Sequence, residues 1–147
     1  MEHQIILNAS PISIGYRDKK TVKIVSENIA ITLQTGKLIA LVGVNGIGKS
    51  TLLKTITGIQ KPLKGIVYLN EKNIENYSSS ELAQQMSLVL TEQLPPSNLT
   101  VFELVALGRQ PYTNWLGTLT HNDTKKINEA IQLTQIEHLV DKKHFEI

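Results

Sequence analysis

Apolar residues follow two patterns along this chain, alternating in its leading part and spaced by three or four in its last third. Ile5-Ile6-Leu7 and Ile12-Ser13-Ile14 are β-prone, and Pro11 between them, lacking an N–H, predicts a sheet edge or a break. Thr21-Val22-Lys23-Ile24-Val25 and Ile29-Ala30-Ile31-Thr32-Leu33 alternate as half-buried strands. Gly15-Tyr16-Arg17-Asp18 and Thr35-Gly36 carry turn residues. An antiparallel β layer is therefore expected first. Lys37-Leu38-Ile39-Ala40-Leu41-Val42 then reads as a continuous apolar run, which predicts a buried central parallel strand. Leu52, Leu53 and Ile56 recur at helical spacing, and Gly58 is placed to stop that helix.

Farther on, Gln60 to Gly65 reads as a loop and Ile66-Val67-Tyr68-Leu69 as a strand, closed by Asn70-Glu71-Lys72-Asn73. Ser78, Ser79 and Ser80 offer N-caps for a helix through Met86, with Glu81 in its first turn. Ser87-Leu88-Val89-Leu90 predicts another short strand, and Leu94-Pro95-Pro96-Ser97-Asn98 an irregular loop. Thr100 with Glu103 forms a capping-box pattern for a helix over Val101 to Leu107, ended by Gly108-Arg109-Gln110-Pro111. Thr120 with Asp123 repeats the pattern, opening a helix with Ile127, Ala130, Ile131 and Thr134 on one face. Ile136 to Val140 predicts a further short helical piece.

Between the predicted strand and helix lies Gly43-Val44-Asn45-Gly46-Ile47-Gly48-Lys49-Ser50-Thr51, which fits the phosphate-loop pattern G-x-x-x-x-G-K-[ST]. Glycines let the backbone curl until several N–H groups face one concavity that suits phosphate oxygens. Lys49 adds a mobile positive charge able to reach β- and γ-phosphates, and the Ser50 hydroxyl can ligate Mg2+. The helix starting there directs its positive dipole end at the same anion. A glycine turn between unrelated elements is the bland alternative; the strand before and the helix after argue against it.

Composition changes this picture little. With 147 residues, 41% hydrophobic and 19% charged, the chain is long enough for one domain or part of one. A net charge of +2 does not argue for nucleic acid or an acidic membrane surface. The absence of cysteine rules out disulfides and thiolate metal sites. No apolar run approaches the roughly 18 residues of a membrane span, and the start Met1-Glu2-His3-Gln4 lacks a signal-peptide layout, so a cytoplasmic chain is expected.

The order of elements and motifs resembles the nucleotide-binding subunit of ABC transporters, most plainly over Ser26 to Leu69. The stretch Thr100-Val101-Phe102-Glu103-Leu104-Val105-Ala106-Leu107-Gly108-Arg109-Gln110-Pro111-Tyr112 is similar to the importer branch for iron–siderophore, haem and cobalamin. The resemblance implies an α/β phosphate-loop ATPase core with an N-terminal antiparallel layer and part of a helical subdomain. Residues 1–90 would hold the layer and core, and 91–147 the glutamine-loop region and helical subdomain. It implies ATP and Mg2+ as cofactors, with Gly43, Asn45, Gly46, Gly48, Lys49, Ser50 and Thr51 at the phosphates and the metal.

Tyr16 stands where the family keeps an aromatic that stacks on adenine, a contact worth ~1–3 kcal/mol per base. A core or turn tyrosine is the other reading. The family's magnesium-sensing glutamine falls by spacing on Thr91, a departure, with Gln93 two residues on as a substitute ligand or simply a solvated loop residue. Tyr112, Trp115 and Leu116 would form an apolar patch toward a membrane permease, close the subdomain's own core, or divide between the two. The histidines, His3, His121, His138 and His144, are expected to face solvent. No glycine-rich signature loop, aspartate-ending apolar strand or switch histidine follows, so an N-terminal portion of a longer ATPase, or the product of a truncated reading frame, without catalytic residues of its own is expected. Partners implied are permease subunits and a second ATP-binding subunit paired head to tail, on the inner face of the cell membrane. A non-transport ABC ATPase and a fragment that binds nucleotide without catalysis are the alternatives.

Overall fold

The computed structural model describes residues 4–89, 95 and 97–147. The chain separates after Leu82 into two compact units.

In the first unit, β1 (Ile5–Arg17) pairs antiparallel with both β2 (Val22–Gln34) and β3 (Val67–Leu69), and β4 (Lys72–Asn73) closes the order β2-β1-β3-β4. β1 does not break at Pro11. Instead its register to β2 shifts between Ala9 and Ile12, as a bulge does when it accommodates a residue that cannot donate to the ladder. The shift changes the parity of the strand. Leu7 and Ala9 before it, and Ile12 and Ile14 after it, all reach the core despite their odd and even positions. β2 likewise runs through the segment between its two predicted halves, with Asn28 at φ 56°. The β3–β4 turn places Asn70 and Glu71 at φ 47° and 63°, the paired positive values of a tight hairpin.

Helix α1 (Lys49–Ile56) packs on β1 and buries Leu52 and Ile56 with Val67, Leu69 and Ile74. Each such side chain contributes roughly 1.5–3 kcal/mol of transfer free energy. Gly58, at φ 77°, follows the C-cap Thr57 and ends the helix as its position predicted. Helix α2 (Ser79–Gln85) is capped by Ser78: its hydroxyl accepts from the Glu81 N–H, and the Glu81 carboxylate accepts from the Ser78 N–H.

Two predicted strands are not formed. Residues 37–44 have no ladder partner among the described residues, and Leu38, Ile39, Leu41, Val42 and Val44 are exposed. Residues 87–89 are likewise irregular, and Leu90 lies outside the described residues. A parallel strand takes its hydrogen bonds and its burial from neighbours on both sides, so apolar composition alone does not make one.

In the second unit, α3 (Val101–Ala106) packs against α4 (His121–Leu133) over Val101, Ile127 and Ile131. Both capping boxes form as their sequences predict, Thr100 with Glu103 and Thr120 with Asp123. A short 3₁₀ stretch over Leu107–Tyr112 follows α3. The segment 140–144 crosses the start of α3, with Val101 N–H donating to Lys142, Phe102 N–H to Val140 and His144 N–H to Leu99. His121 and His138 face solvent as expected, and His3 lies outside the described residues; His144 differs, being half-buried with its Nδ1 enclosed and without a hydrogen-bond partner among the described residues.

Candidate functional site

The phosphate loop is the turn that delivers the chain into α1. Gly46 at φ 82° and Gly48 at φ 109° take up the left-handed backbone that curls it. Gly48 is also the N-cap, and a Cβ there would lie 2.5 Å from Cγ1 of Val25 in β2. The β1–β2 hairpin therefore rests directly on the start of the helix, a contact only glycine permits. The Lys49 ammonium donates to the carbonyls of Gly43 at 2.6 Å and Val44 at 2.9 Å. It closes the loop on itself and sits across its mouth. Gly43, Asn45, Gly46 and Ser50 are exposed, so loop and hydroxyl are open to a ligand.

The hairpin brings in Tyr16. Its hydroxyl lies 2.9 Å from the Thr51 hydroxyl, while the residue stays 52% exposed. Thr51 itself is only 5% exposed, and its carbonyl accepts from the Thr55 hydroxyl at 2.8 Å. Beside Tyr16 a cleft of about 480 Å³ is lined by Gly15, Arg17 and the loop 60–63, held to the strand by a hydrogen bond from the Gln60 amide to the Gly15 carbonyl. So the residues read separately from sequence, Tyr16 on one side and Gly43 to Thr51 on the other, share one place. Gln93 and Thr91 lie outside the described residues.

A family model described as "ABC transporter" matches residues 26–146. The chain belongs to the ABC transporter family. It is 42% identical over 97% of its length to an uncharacterized ABC transporter ATP-binding protein of Methanocaldococcus jannaschii, covering 48% of that protein. It is 35% identical over 92% of its length to the ferric enterobactin transport ATP-binding protein of Escherichia coli and to the iron(3+)-hydroxamate import ATP-binding protein of Bacillus subtilis, covering 49% of each. The chain thus spans about half the length of the curated relatives it matches. Among solved structures, a nucleotide-free ATP-binding cassette from an ABC transporter superposes with a TM-score of 0.74 at 27% identity, covering 98% of this chain and 59% of that one.

ABC ATPase domains bind ATP, generally with Mg2+, and the residues present fit that pair. The ammonium already placed over the loop mouth, the glycine backbone and the first turn of an eight-residue helix form an anion cradle. One exposed hydroxyl, Ser50, suits a metal held mainly by phosphate and water. No cluster of three His, Asp or Glu exists among the described residues that would hold an ion without the nucleotide.

The second unit carries a polar network that the sequence reading took only as a helix end. Arg109 donates through Nε and Nη2 to Asp123 Oδ1, at 3.0 and 2.9 Å, while the other Asp123 oxygen accepts from the Thr120 N–H and hydroxyl. These bonds, Thr120's before Arg109's, hold the Asp123 carboxyl below the usual range. The Arg109 guanidinium also lies 3.9 Å from the Tyr112 ring centre. Trp115 is 91% exposed, with Leu116 and Tyr112 exposed beside it in sequence. No helix among the described residues is long and apolar enough to cross a membrane.

Proposed function

We propose that this chain is the triphosphate-holding portion of an ATP-binding subunit that energises import of an iron–siderophore, haem or cobalamin-type chelate. The observation that carries the reading is Lys49 seated over the Gly43–Ser50 loop at the head of α1, with Tyr16 joined to the same helix. The relatives named for ferric enterobactin and iron(3+)-hydroxamate support the importer branch.

In this reading the backbone N–H groups around Asn45, Gly46 and Gly48 grip phosphate oxygens. Lys49, which donates to two loop carbonyls, would exchange them for the β- and γ-phosphates. Ser50 offers its hydroxyl to Mg2+, and the exposed face of Tyr16 offers a stacking surface to the base. Gln93 or Thr91 supplies the magnesium-sensing position. A bound ATP–Mg2+ supplies the phosphoryl group and part of the charge neutralisation; these residues supply position and field. Residues 1–90 form the cradle with its β layer. Residues 91–147 turn toward the permease, with Tyr112, Trp115 and Leu116 as apolar contacts. Hydrolysis calls for residues with no match in this sequence, including a catalytic glutamate and a second subunit's signature loop. The assembly would work on the inner face of the cell membrane.

The test is uptake of a labelled ferric siderophore by cells whose own gene carries Lys49→Ala. Loss of uptake with normal protein level is expected; undiminished uptake overturns the importer reading.

A further inference from the structure

Between the pairs Ile14–Ser26 and Gly15–Ile24, β2 carries one residue more than β1. That residue is Val25, and its side chain closes on Gly48, as bulged residues do when a strand is re-aimed. Beyond it the hairpin runs in even register, Gly15 opposite Ile24, Tyr16 opposite Lys23 and Arg17 opposite Val22. The Asp18 N–H donates to the Thr21 carbonyl and closes the tip. The outer arm of the hairpin is thus seated on the head of α1 and holds these pairs in fixed places.

Ile14 and Tyr16 stand two apart on β1, so they share a face of the sheet. Both reach the head of α1, Ile14 toward Gly48 and Tyr16 beside Thr51. Directly opposed residues of an antiparallel pair share a face as well, with Cβ atoms roughly 4.5–5.5 Å apart. Lys23, opposite Tyr16, therefore rises beside the tyrosine on the face turned to the phosphate loop. It is exposed, and no ion pair or hydrogen bond among the described residues engages its ammonium. An ammonium donates three hydrogen bonds and accepts none. Guanine sets two acceptors, O6 and N7, on the edge where adenine places an amino donor beside N7. A lysine at that edge gains from the first base and meets a competing donor on the second.

From this placement we propose that Lys23 is a specificity-determining residue. It reads the edge of the base stacked on Tyr16 and favours oxo-purines, so that the site accepts guanosine triphosphate alongside ATP. The inference rests on the nucleotide reading above, which fixes a triphosphate at the loop; it adds the class of base.

The probes are ATP, GTP, inosine triphosphate and inorganic tripolyphosphate, each with Mg2+, titrated calorimetrically into the full chain. Inosine triphosphate keeps the oxo group and lacks guanine's exocyclic amino group, so it isolates the contact. Lys23→Met retains most of the stem and removes the ammonium from an exposed position. It is expected to lower the ratio of GTP to ATP affinity by about two- to fivefold, the scale of one exposed charged contact. Inosine triphosphate should follow GTP, and tripolyphosphate should bind as before. Lys23→Arg, which keeps a charged donor, should preserve the ratio.

Equal weakening of all four ligands in Lys23→Met would overturn the inference, making Lys23 a general attractor of phosphate charge. An unmoved ratio, or inosine triphosphate following ATP, would overturn it as well. So would a wild-type chain that binds ATP but neither oxo-purine nucleotide. In each of these cases the nucleotide reading stands. A wild-type chain that binds none of the four overturns that reading and this inference with it.

Discussion

Tyr16 and Thr51 stand 35 residues apart in sequence and 2.9 Å apart at their hydroxyl groups. Between them runs the whole path from hairpin to helix. What lets the two ends meet is the missing side chain at Gly48, under Val25. Gly48→Ala should therefore fail twice. The left-handed φ of 109° costs on the order of 1–3 kcal/mol for a residue with a Cβ, and the methyl group would strike Val25. Thermal melting should show the loss, and Val25→Ala in the same chain should recover only the steric part. Full recovery would mean that the backbone conformation carries no strain.

Asp123 makes the second unit sensitive to acid. Its carboxyl is held below the ordinary range by Thr120 and then by Arg109, so the charged form belongs to the folded state. For such a group the stabilisation is fully present above the unfolded value, near about 4, and fades as pH falls through the lower folded value. Melting of the chain from pH 7 downward should thus show a fall in stability beginning around pH 4, smaller in Asp123→Asn. Equal falls in the two chains would contradict the assignment. Thr120→Ala should lower the melting temperature at pH 7, the usual loss for such a cap being about 1 kcal/mol.

The exposed run from Leu38 to Val44 carries five large apolar side chains. Backbone with no strand partner among the described residues, lying beside exposed apolar side chains, favours association, so the chain should self-associate as its concentration rises. Replacing Leu38 and Val42 with lysine should suppress this in sedimentation experiments without lowering the melting temperature. A wild-type chain that stays monomeric at all concentrations would contradict it.

Elements that carry their own reasons were legible in the sequence. The phosphate loop is legible because each of its positions has one local job; the caps at Ser78, Thr100 and Thr120 because a side chain three residues away completes them. Elements that borrow their reasons were not. The segment 37–42 has the composition of a central strand, yet a strand needs neighbours, and none among the described residues is paired with it. Pro11 reads as a sheet edge or a break because sequence shows a missing N–H but not the bulge that absorbs it. The Tyr16–Thr51 and Arg109–Asp123 contacts join distant positions, 35 and 14 residues apart, with no periodicity to announce them. In hindsight the cap pattern at Thr120 left one Asp123 oxygen to be satisfied, and Arg109 supplies the donors.

The central claim is that this chain holds a nucleoside triphosphate in the loop Gly43–Ser50, and calorimetric titration of ATP with Mg2+ into the chain and its Lys49→Ala variant tests it most directly. The account predicts one-to-one binding with a dissociation constant below about 1 mM, an affinity of roughly 4 kcal/mol or more, lost in the variant while its melting temperature holds. Binding that survives Lys49→Ala unchanged, or no binding by the folded wild-type chain, would contradict it.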